Sequence, residues 1–295
     1  MMTSPNRLFL LVIVVALAVS SAIVILVLVL LFPVVATAGS GLYAVACLLT
    51  PISSFDTVAH LLAVALLGLS SISLVAGACT ANRERAIVAD LGAMTRVARC
   101  RTLPPEVHAA SIVTGVNSRL DVVESPRAFG FAYGWLRPRI CISTALIHRL
   151  SRRELEAVFL HERWHLRQRD PFRLFLLRII ASGFFFLPPM RRLVRDYVVA
   201  AEISADRHAV VTMGERRWLA AALAKTMGLP LAVPAFEGHA DRRIAALADD
   251  LSHQPADGAL RRWTLVLAAE GVVLVPLIAR GGIPVVAGVL SHPVC

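Results

Sequence analysis

The chain is poor in charge. Only 17% of its 295 residues are Asp, Glu, Lys or Arg. An ordinary soluble domain carries ~25%, so that class is excluded. Lysine is nearly missing: Lys225 stands alone, and the other basic residues are Arg. Cysteine is sparse too. Cys47, Cys79, Cys100, Cys141 and Cys295 are odd in number, and no two have CxxC spacing. A disulfide framework, a zinc knuckle and a dithiol redox motif are all unsupported, and the cysteines read mostly as buried apolar residues. Internal repeats and low-complexity tracts are also missing. What is plentiful is apolar: 57% of the residues are hydrophobic and the mean hydropathy is +0.70. That rules out disorder and leaves a membrane protein with a substantial non-membrane part. The richness in Ala and Arg suggests a GC-rich bacterial genome.

The formal net charge is +10. Such an excess fits either a nucleic-acid surface or the cytoplasmic flank of a membrane protein. No helix-turn-helix, finger or RNA-binding signature accompanies it, so nucleic acid is not an expected partner and the lipid bilayer is. Leu8 to Phe32 is an almost unbroken apolar run that Pro33 should stop, long enough to cross ~30 Å of hydrocarbon. A cleaved signal peptide is the rival reading, because Ala36-Thr37-Ala38 resembles a cleavage site. The apolar core is about twice a signal peptide's usual length, which favours an anchor. Val58 to Ala78 is a second span, with His60 near its start, an interfacial position. A third lies within Leu265 to Leu290, interrupted by Glu270 and Arg280. The loop from Ala36 to Asp56 has no Lys or Arg, whereas Arg7, Arg83, Arg85, Arg96, Arg99, Arg101, Arg261 and Arg262 flank the spans on their other side. The positive-inside rule therefore places the N-terminus and the central region in the cytoplasm. The expected organisation is two transmembrane helices in residues 1–80, a cytoplasmic domain in 81–262 and a C-terminal span in 263–295.

Within the central region, Leu103-Pro104-Pro105 reads as a linker after a juxtamembrane helix. Arg119 to Val123 and Arg139 to Ile142 read as short strands, Ala128 to Tyr133 as a weaker one, and Gly134 as a turn. Ser151 and Glu154 fit a capping box, opening a helix that should end near Arg169, before Asp170-Pro171. The fold class is thus α+β: a multi-span helical membrane protein whose mostly helical domain carries a small sheet.

That helix holds His161-Glu162-Arg163-Trp164-His165, an HExxH motif. Residues four apart share a helix face, so both imidazoles can grip one Zn²⁺, with Glu162 placed to take a proton from water at the metal. A catalytic zinc needs a third protein ligand. Glu202 is the best donor, and Asp206, one turn on, can orient a ligand histidine. His208 is an alternative ligand or a transition-state donor, and Tyr197 is a further donor candidate. Phe172 to Pro189 is largely apolar, but a single crossing there would separate His165 from Glu202. It should be interfacial, re-entrant or packed on the domain. The Ala128–Ile142 hairpin can offer a sheet edge to an extended peptide substrate.

These residues carry a resemblance. Ala128-Phe129-Gly130-Phe131, Trp135 to Ile140, Ser143 to Leu146, Glu154 to Val158, the HExxH motif, Arg169-Asp170, Glu202 and Asp206 together resemble the BlaR/MecR-type membrane metallopeptidases, and more broadly their HtpX and CAAX-prenyl-protease relatives. The resemblance covers roughly Ser125 to Val210. It implies a gluzincin-like zinc peptidase domain in which His161, His165 and Glu202 ligate one zinc and Glu162 is the general base. β-Lactam sensors of this type carry a large extracellular penicillin-binding domain after the last span. Only a few residues follow Leu290, so direct antibiotic sensing is not expected. The expected activity is cleavage of a protein or peptide substrate, with a transcriptional repressor or a damaged membrane protein as candidates. Two other readings compete: a non-catalytic signalling scaffold with a structural metal site, and an Arg-rich, membrane-tethered DNA binder.

Overall fold

Among the described residues, two long helices with extended apolar stretches come first. In the computed structural model, which describes residues 4–38, 54–100 and 102–226, helix α1 spans Pro5–Ala38 and helix α2 spans Ser54–Val97. Both contain stretches long and apolar enough to cross a membrane. Most of their described side chains are exposed or half-buried, as Leu10, Leu17 and Val24 on α1 and Leu61, Val64 and Leu74 on α2 illustrate, while Leu8, Val12 and Ala16 on α1 and Ala63 on α2 are buried. Ser70 and Ser71 donate their hydroxyls to the carbonyls of Leu66 and Leu67, each at 2.8 Å, so neither hydroxyl depends on water. Two expectations need adjustment. Pro33 does not end the first helix, which continues to Ala38; an apolar helix tolerates an internal proline where its freed carbonyl is satisfied locally. The second span and the juxtamembrane helix are one continuous rod ending at Val97. His60's side chain, the third span (265–290) and the domain boundary at 262 lie outside the described residues.

The chain divides into two units, one including Ile13–Val75 and the other including Met2–Val12 and Ala76–Pro255. In the second, α3 (Pro105–Thr114) is followed by a single 3₁₀ turn and three strands, β1 (Leu120–Val123), β2 (Gly130–Tyr133) and β3 (Arg139–Ser143). Then come α4 (Thr144–Ile147), α5 (Arg152–Gln168), α6 (Asp170–Gly183), α7 (Pro188–Met213) and α8 (Arg217–Thr226). Pro105 thus opens α3 rather than lying in a linker, as a proline in the first turn loses no hydrogen bond. The strand order is β1-β3-β2, with β1 parallel and β2 antiparallel to β3, so β2 is an edge strand. Gly134 closes the β2–β3 hairpin at φ 87°, where a Cβ would come within 3.0 Å of the Arg137 carbonyl oxygen; no other residue fits that turn without strain.

Alternation along the strands decides what the sheet covers. Leu120, Val122, Ile140 and Ile142 share one face and pack with Leu155 and Phe159 of α5 in the main core. Val123 and Cys141 occupy the other face with Phe129. Burial pushes the Cys141 thiol up to about 12. Of the three described cysteines, Cys141 is buried, Cys100 half-buried and Cys79 exposed, so the expectation of mostly buried cysteines fails for Cys79.

Asp121 shares that second face and is buried. Arg99 and Arg139 both pair with it, and Tyr133 donates to it at 2.9 Å. Burial alone would raise its carboxyl; the Arg139 and Tyr133 hydrogen bonds and the two guanidinium charges outweigh that and hold it below the usual carboxylate value. A depressed folded-state pKa stabilises the fold above the unfolded carboxyl's value of ~3.9, and that contribution is lost as pH falls through the folded value. Asp121→Asn should therefore lower unfolding stability by about 2 kcal/mol at pH 7. The deficit should shrink as the pH is brought below ~4. Urea unfolding of the full chain in detergent measures both, and equal midpoints at pH 7 would refute the role.

Candidate metal centre

A capping box starts the helix that carries the motif. The Ser151 hydroxyl accepts from the Glu154 N–H, and Glu154 accepts from the Ser151 N–H at 2.7 Å. Lys225 of α8 donates to the same Glu154 carboxylate at 2.7 Å. From this fixed start, 3.6-residue periodicity brings His161 and His165 to one face. Small residues bring the next helix close: Ala157 of α5 packs with Ala209 of α7, and Ala201, Ala205 and Ala209 are all buried on α7. Glu202 and Asp206, one turn apart on α7, are buried beside that alanine stripe.

The imidazole Nε2 atoms of His161 and His165 lie 3.1 Å apart. Each also approaches Glu202, His161 at 3.5 Å and His165 at 3.6 Å. The three donor atoms fall within 4.8 Å of one another, and all three side chains are buried. Glu162 is buried next to His161.

The opposite nitrogen of each ring is also held. His161 Nδ1 lies 2.8 Å from Asp206 Oδ1. His165 Nδ1 lies 2.8 Å from Asp170 Oδ2. In the sequence Asp170 marks a helix end and belongs to the stretch that carries the resemblance, with no contact to a histidine assigned to it. Its part here depends on the turn before it: α5 stops at Arg169, which adopts the left-handed conformation at φ 56°. The chain reverses there and returns Asp170 to His165. A non-glycine residue in this conformation is uncommon, and nothing in Arg169-Asp170-Pro171 announced it beyond the end of the helix. Burial alone would lower the His165 pKa. The Asp170 hydrogen bond and the Glu202 charge more than offset that, so its value lies above the ordinary one.

The other two candidates fall elsewhere. The Tyr197 hydroxyl donates to Asp170 Oδ1 at 2.7 Å, so Tyr197 stands behind His165 and anchors its partner rather than facing the donor cluster. Burial first, then the proximity to Asp170, raises its pKa. His208 is not one of the three clustered donors; its ring lies against Trp164, centroids 5.0 Å apart. Burial first, then the Arg167 and Arg163 charges, hold it below the usual histidine value.

Phe172 to Pro189 folds as α6 and the turn into α7, both within the unit that holds the cluster, so His165 and Glu202 are not separated. α6 packs on α7 and on the lower part of α2. Arg178 pairs with Glu84 at 3.0 Å, and the Ser182 hydroxyl both accepts from Thr80 at 2.7 Å and donates to the Ala76 carbonyl at 3.1 Å.

Comparison with known proteins bears on this geometry. No curated protein gives a significant sequence match to the chain. A family profile, described as BlaR1 peptidase M56, matches residues 49–239, close to two thirds of the chain, and includes α5, α6 and α7 whole. Peptidase activity at a membrane is what that family stands for, and the chain belongs to it.

Proposed function

We propose that the chain is an integral-membrane zinc endopeptidase with its site on the cytoplasmic side. The observation that carries this reading is the convergence of three buried donors from two helices. A tetrahedral zinc with ligands at ~2.0–2.1 Å needs donors ~3.3 Å apart. The two Nε2 atoms are 3.1 Å apart, His161 lies 3.5 Å from one Glu202 oxygen and His165 3.6 Å from the other, and one donor atom from each residue falls within 4.8 Å of the rest, a spread that small side-chain shifts bring to that value. Charge supports it as well. Glu162, Asp170, Glu202 and Asp206 are all buried around two imidazoles, and four carboxylates out of water require positive compensation. Among the described residues the cluster has three donors, the number at which a catalytic site leaves a fourth position open; a structural site would be closed by four.

His161, His165 and Glu202 would hold the ion. When bound, zinc supplies Lewis acidity, making water acidic near neutrality and polarising a peptide carbonyl. The chain's own residues do the rest. Asp206 and Asp170 fix the tautomer and tilt of the two histidines through Nδ1, leaving each Nε2 lone pair free to ligate. Glu162 takes the proton of the attacking water and delivers it to the leaving amine nitrogen. The edge strand β2 packs against α5, so an extended substrate pairing with β2 would run beside the cluster. The Arg residues that follow α2's apolar stretch favour the cytoplasmic side for this unit. A repressor or a membrane protein as substrate remains the working assignment.

Two outcomes are expected of the purified full chain. Glu162→Gln should retain about one zinc and lose ~10²–10⁴-fold of its peptidase activity. Unchanged turnover on a broad protein substrate panel would refute the proposed base. If the wild type binds zinc and cleaves nothing in that panel, the scaffold reading replaces this one.

Zinc affinity should weaken as pH falls, because a protonated imidazole cannot ligate. The raised His165 pKa places the onset of that loss above the ordinary histidine value of ~6.5. Asp170→Asn should lower zinc affinity ~10–100-fold at pH 8 and move the onset to lower pH, since it removes a group that holds the proton on His165. Competition with a chromophoric chelator across pH reads both effects. An onset that does not move would remove Asp170 from the proposed role.

A further inference from the structure

The turn between α6 and α7, Phe184-Phe185-Phe186-Leu187, takes no part in the donor cluster. Its rings contact each other, with centroids 5.9 Å apart for Phe184–Phe186 and 5.6 Å for Phe185–Phe186, and Phe184 and Phe186 are half-buried. Phe185 is 39% exposed. Three adjacent phenylalanines in contact with water are a cost without a partner.

The direction of α6 indicates what that partner is. Arg173, near its start, donates to Asn6 Oδ1 at 2.6 Å and lies over the Phe9 ring. Arg178, further on, meets Glu84, and Ser182 meets Thr80 and Ala76. Successive turns of α6 thus meet successively earlier turns of α2. α6 climbs from the charged part of α2 to Ala76, where α2 enters this unit, and the phenylalanines lie one turn beyond Ser182. From the tip the chain turns at Pro188-Pro189 into α7. Arg191, Arg192 and Arg195 follow within the first two turns, all exposed and without a carboxylate partner among the described residues. At 1.5 Å per residue they sit ~5–10 Å along α7 from its first residue.

We propose that the Phe184–Leu187 turn is an interfacial wedge. Its rings enter the acyl boundary of an anionic bilayer, and Arg191, Arg192 and Arg195 bind the phosphate headgroups. This rests on the reading of α1 and α2 as membrane spans. It fixes α6 and α7, and with them Asp170 and Glu202, at a set height against the lipid. The arginines supply the complementary charge; anionic headgroups attract basic residues placed within a Debye length of the surface.

The test uses the full chain in nanodiscs of mixed phosphatidylglycerol and phosphatidylethanolamine. A photoreactive benzoylphenylalanine replaces Phe185, or Leu74 on α2, or Val211 near the end of α7; the last two are 75% and 71% exposed. Mass spectrometry identifies what each position captures. Leu74 and Phe185 should form lipid adducts and Val211 none. The Phe185 adducts should favour phosphatidylglycerol at least about twofold over its share, and R191Q/R192Q/R195Q should abolish that preference. Lipid at Leu74 but not at Phe185 overturns the wedge and leaves the spans intact. A protein–protein adduct at Phe185 overturns it in favour of a second copy of the chain. Lipid capture with no headgroup preference overturns the anionic part. No lipid at Leu74 removes the membrane reading itself. Quenching of a Phe185→Trp variant by brominated lipid repeats the test without the bulky label, and fluorescence unchanged from the Val211→Trp control overturns the wedge equally.

Discussion

Each of the two imidazoles on α5 is held by its Nδ1, and everything about the cluster depends on that. Asp206 holds His161 and Asp170 holds His165, each at 2.8 Å. With Nδ1 engaged, the only ring nitrogen left to face Glu202 is Nε2, and the two Nε2 atoms come within 3.1 Å of each other. Without those carboxylates the imidazoles would be free to rotate about their side-chain bonds, and helical spacing alone would not converge them. The two orienting groups come from different directions. Asp206 arrives from α7, one turn after Glu202, and Asp170 arrives from the reversal that ends α5. The cluster is therefore tied to the α5–α7 packing and to the α5–α6 turn at once. Tyr197, donating to Asp170, ties α7 to that turn as well.

Much of this was legible because it is local. Ser151 and Glu154 satisfy each other over three residues, and the HExxH spacing is a property of one helix. Glu202 and Asp206 share a face for the same reason. The strands were readable from short β-branched runs bounded by glycine and proline. The illegible parts are those in which tertiary contacts override a local signal. Pro33 is a stop signal that an apolar helix absorbs. Asp170-Pro171 reads as an end, yet a left-handed Arg169 turns that end into a partner for His165. Tyr197 carries a hydroxyl that suits a transition-state donor, but only the packing of α7 on α6 decides that it faces Asp170 instead. The Phe172–Pro189 stretch looks apolar enough to cross a membrane, and only the need to keep His165 and Glu202 together argues otherwise. Its packing on α7, its ion pair with Glu84 and its hydrogen bonds with Thr80 and Ala76 of α2 are the contacts that hold it there.

The sheet is anchored to the helix that precedes it rather than merely tethered by it. The chain leaving α2 adds to β1 at once: the Cys100 N–H donates to the Val122 carbonyl and the Glu124 N–H to the Ala98 carbonyl, an antiparallel bridge centred on Arg99 and Val123. Arg99 then reaches Asp121, and the Tyr133 hydroxyl lies 3.3 Å from Thr95 of α2 as well as bonding Asp121. Tyr133 ends β2, the edge strand. One buried carboxylate thus joins the foot of α2 to both neighbours of the central strand. Loss of that carboxylate would leave two guanidiniums without their buried counter-charge and the edge strand tied to the helix through Thr95 alone among these contacts.

That connection constrains how a peptidase built this way can work. A strand edge recruits an extended peptide through backbone hydrogen bonds, which are indifferent to sequence. Selectivity must then come from which chains can reach the edge and from whether the edge is held in register with α5. Under the proposed function, reach would be set by how the domain is held against the lipid, and register by the contacts of β2 with β3 and with the Asp121 cluster. Both trace back to α2, whose lower turns carry Glu84, Thr80 and Ala76 against α6 and whose last turns carry Thr95 against Tyr133. A displacement of α2 would act on the strand and on α6 together, because the same rigid helix holds both. Peptide-bond cleavage is irreversible in the cell, so a broadly permissive edge is tolerable only where access is restricted, and the shared support on α2 provides a physical means of restricting it.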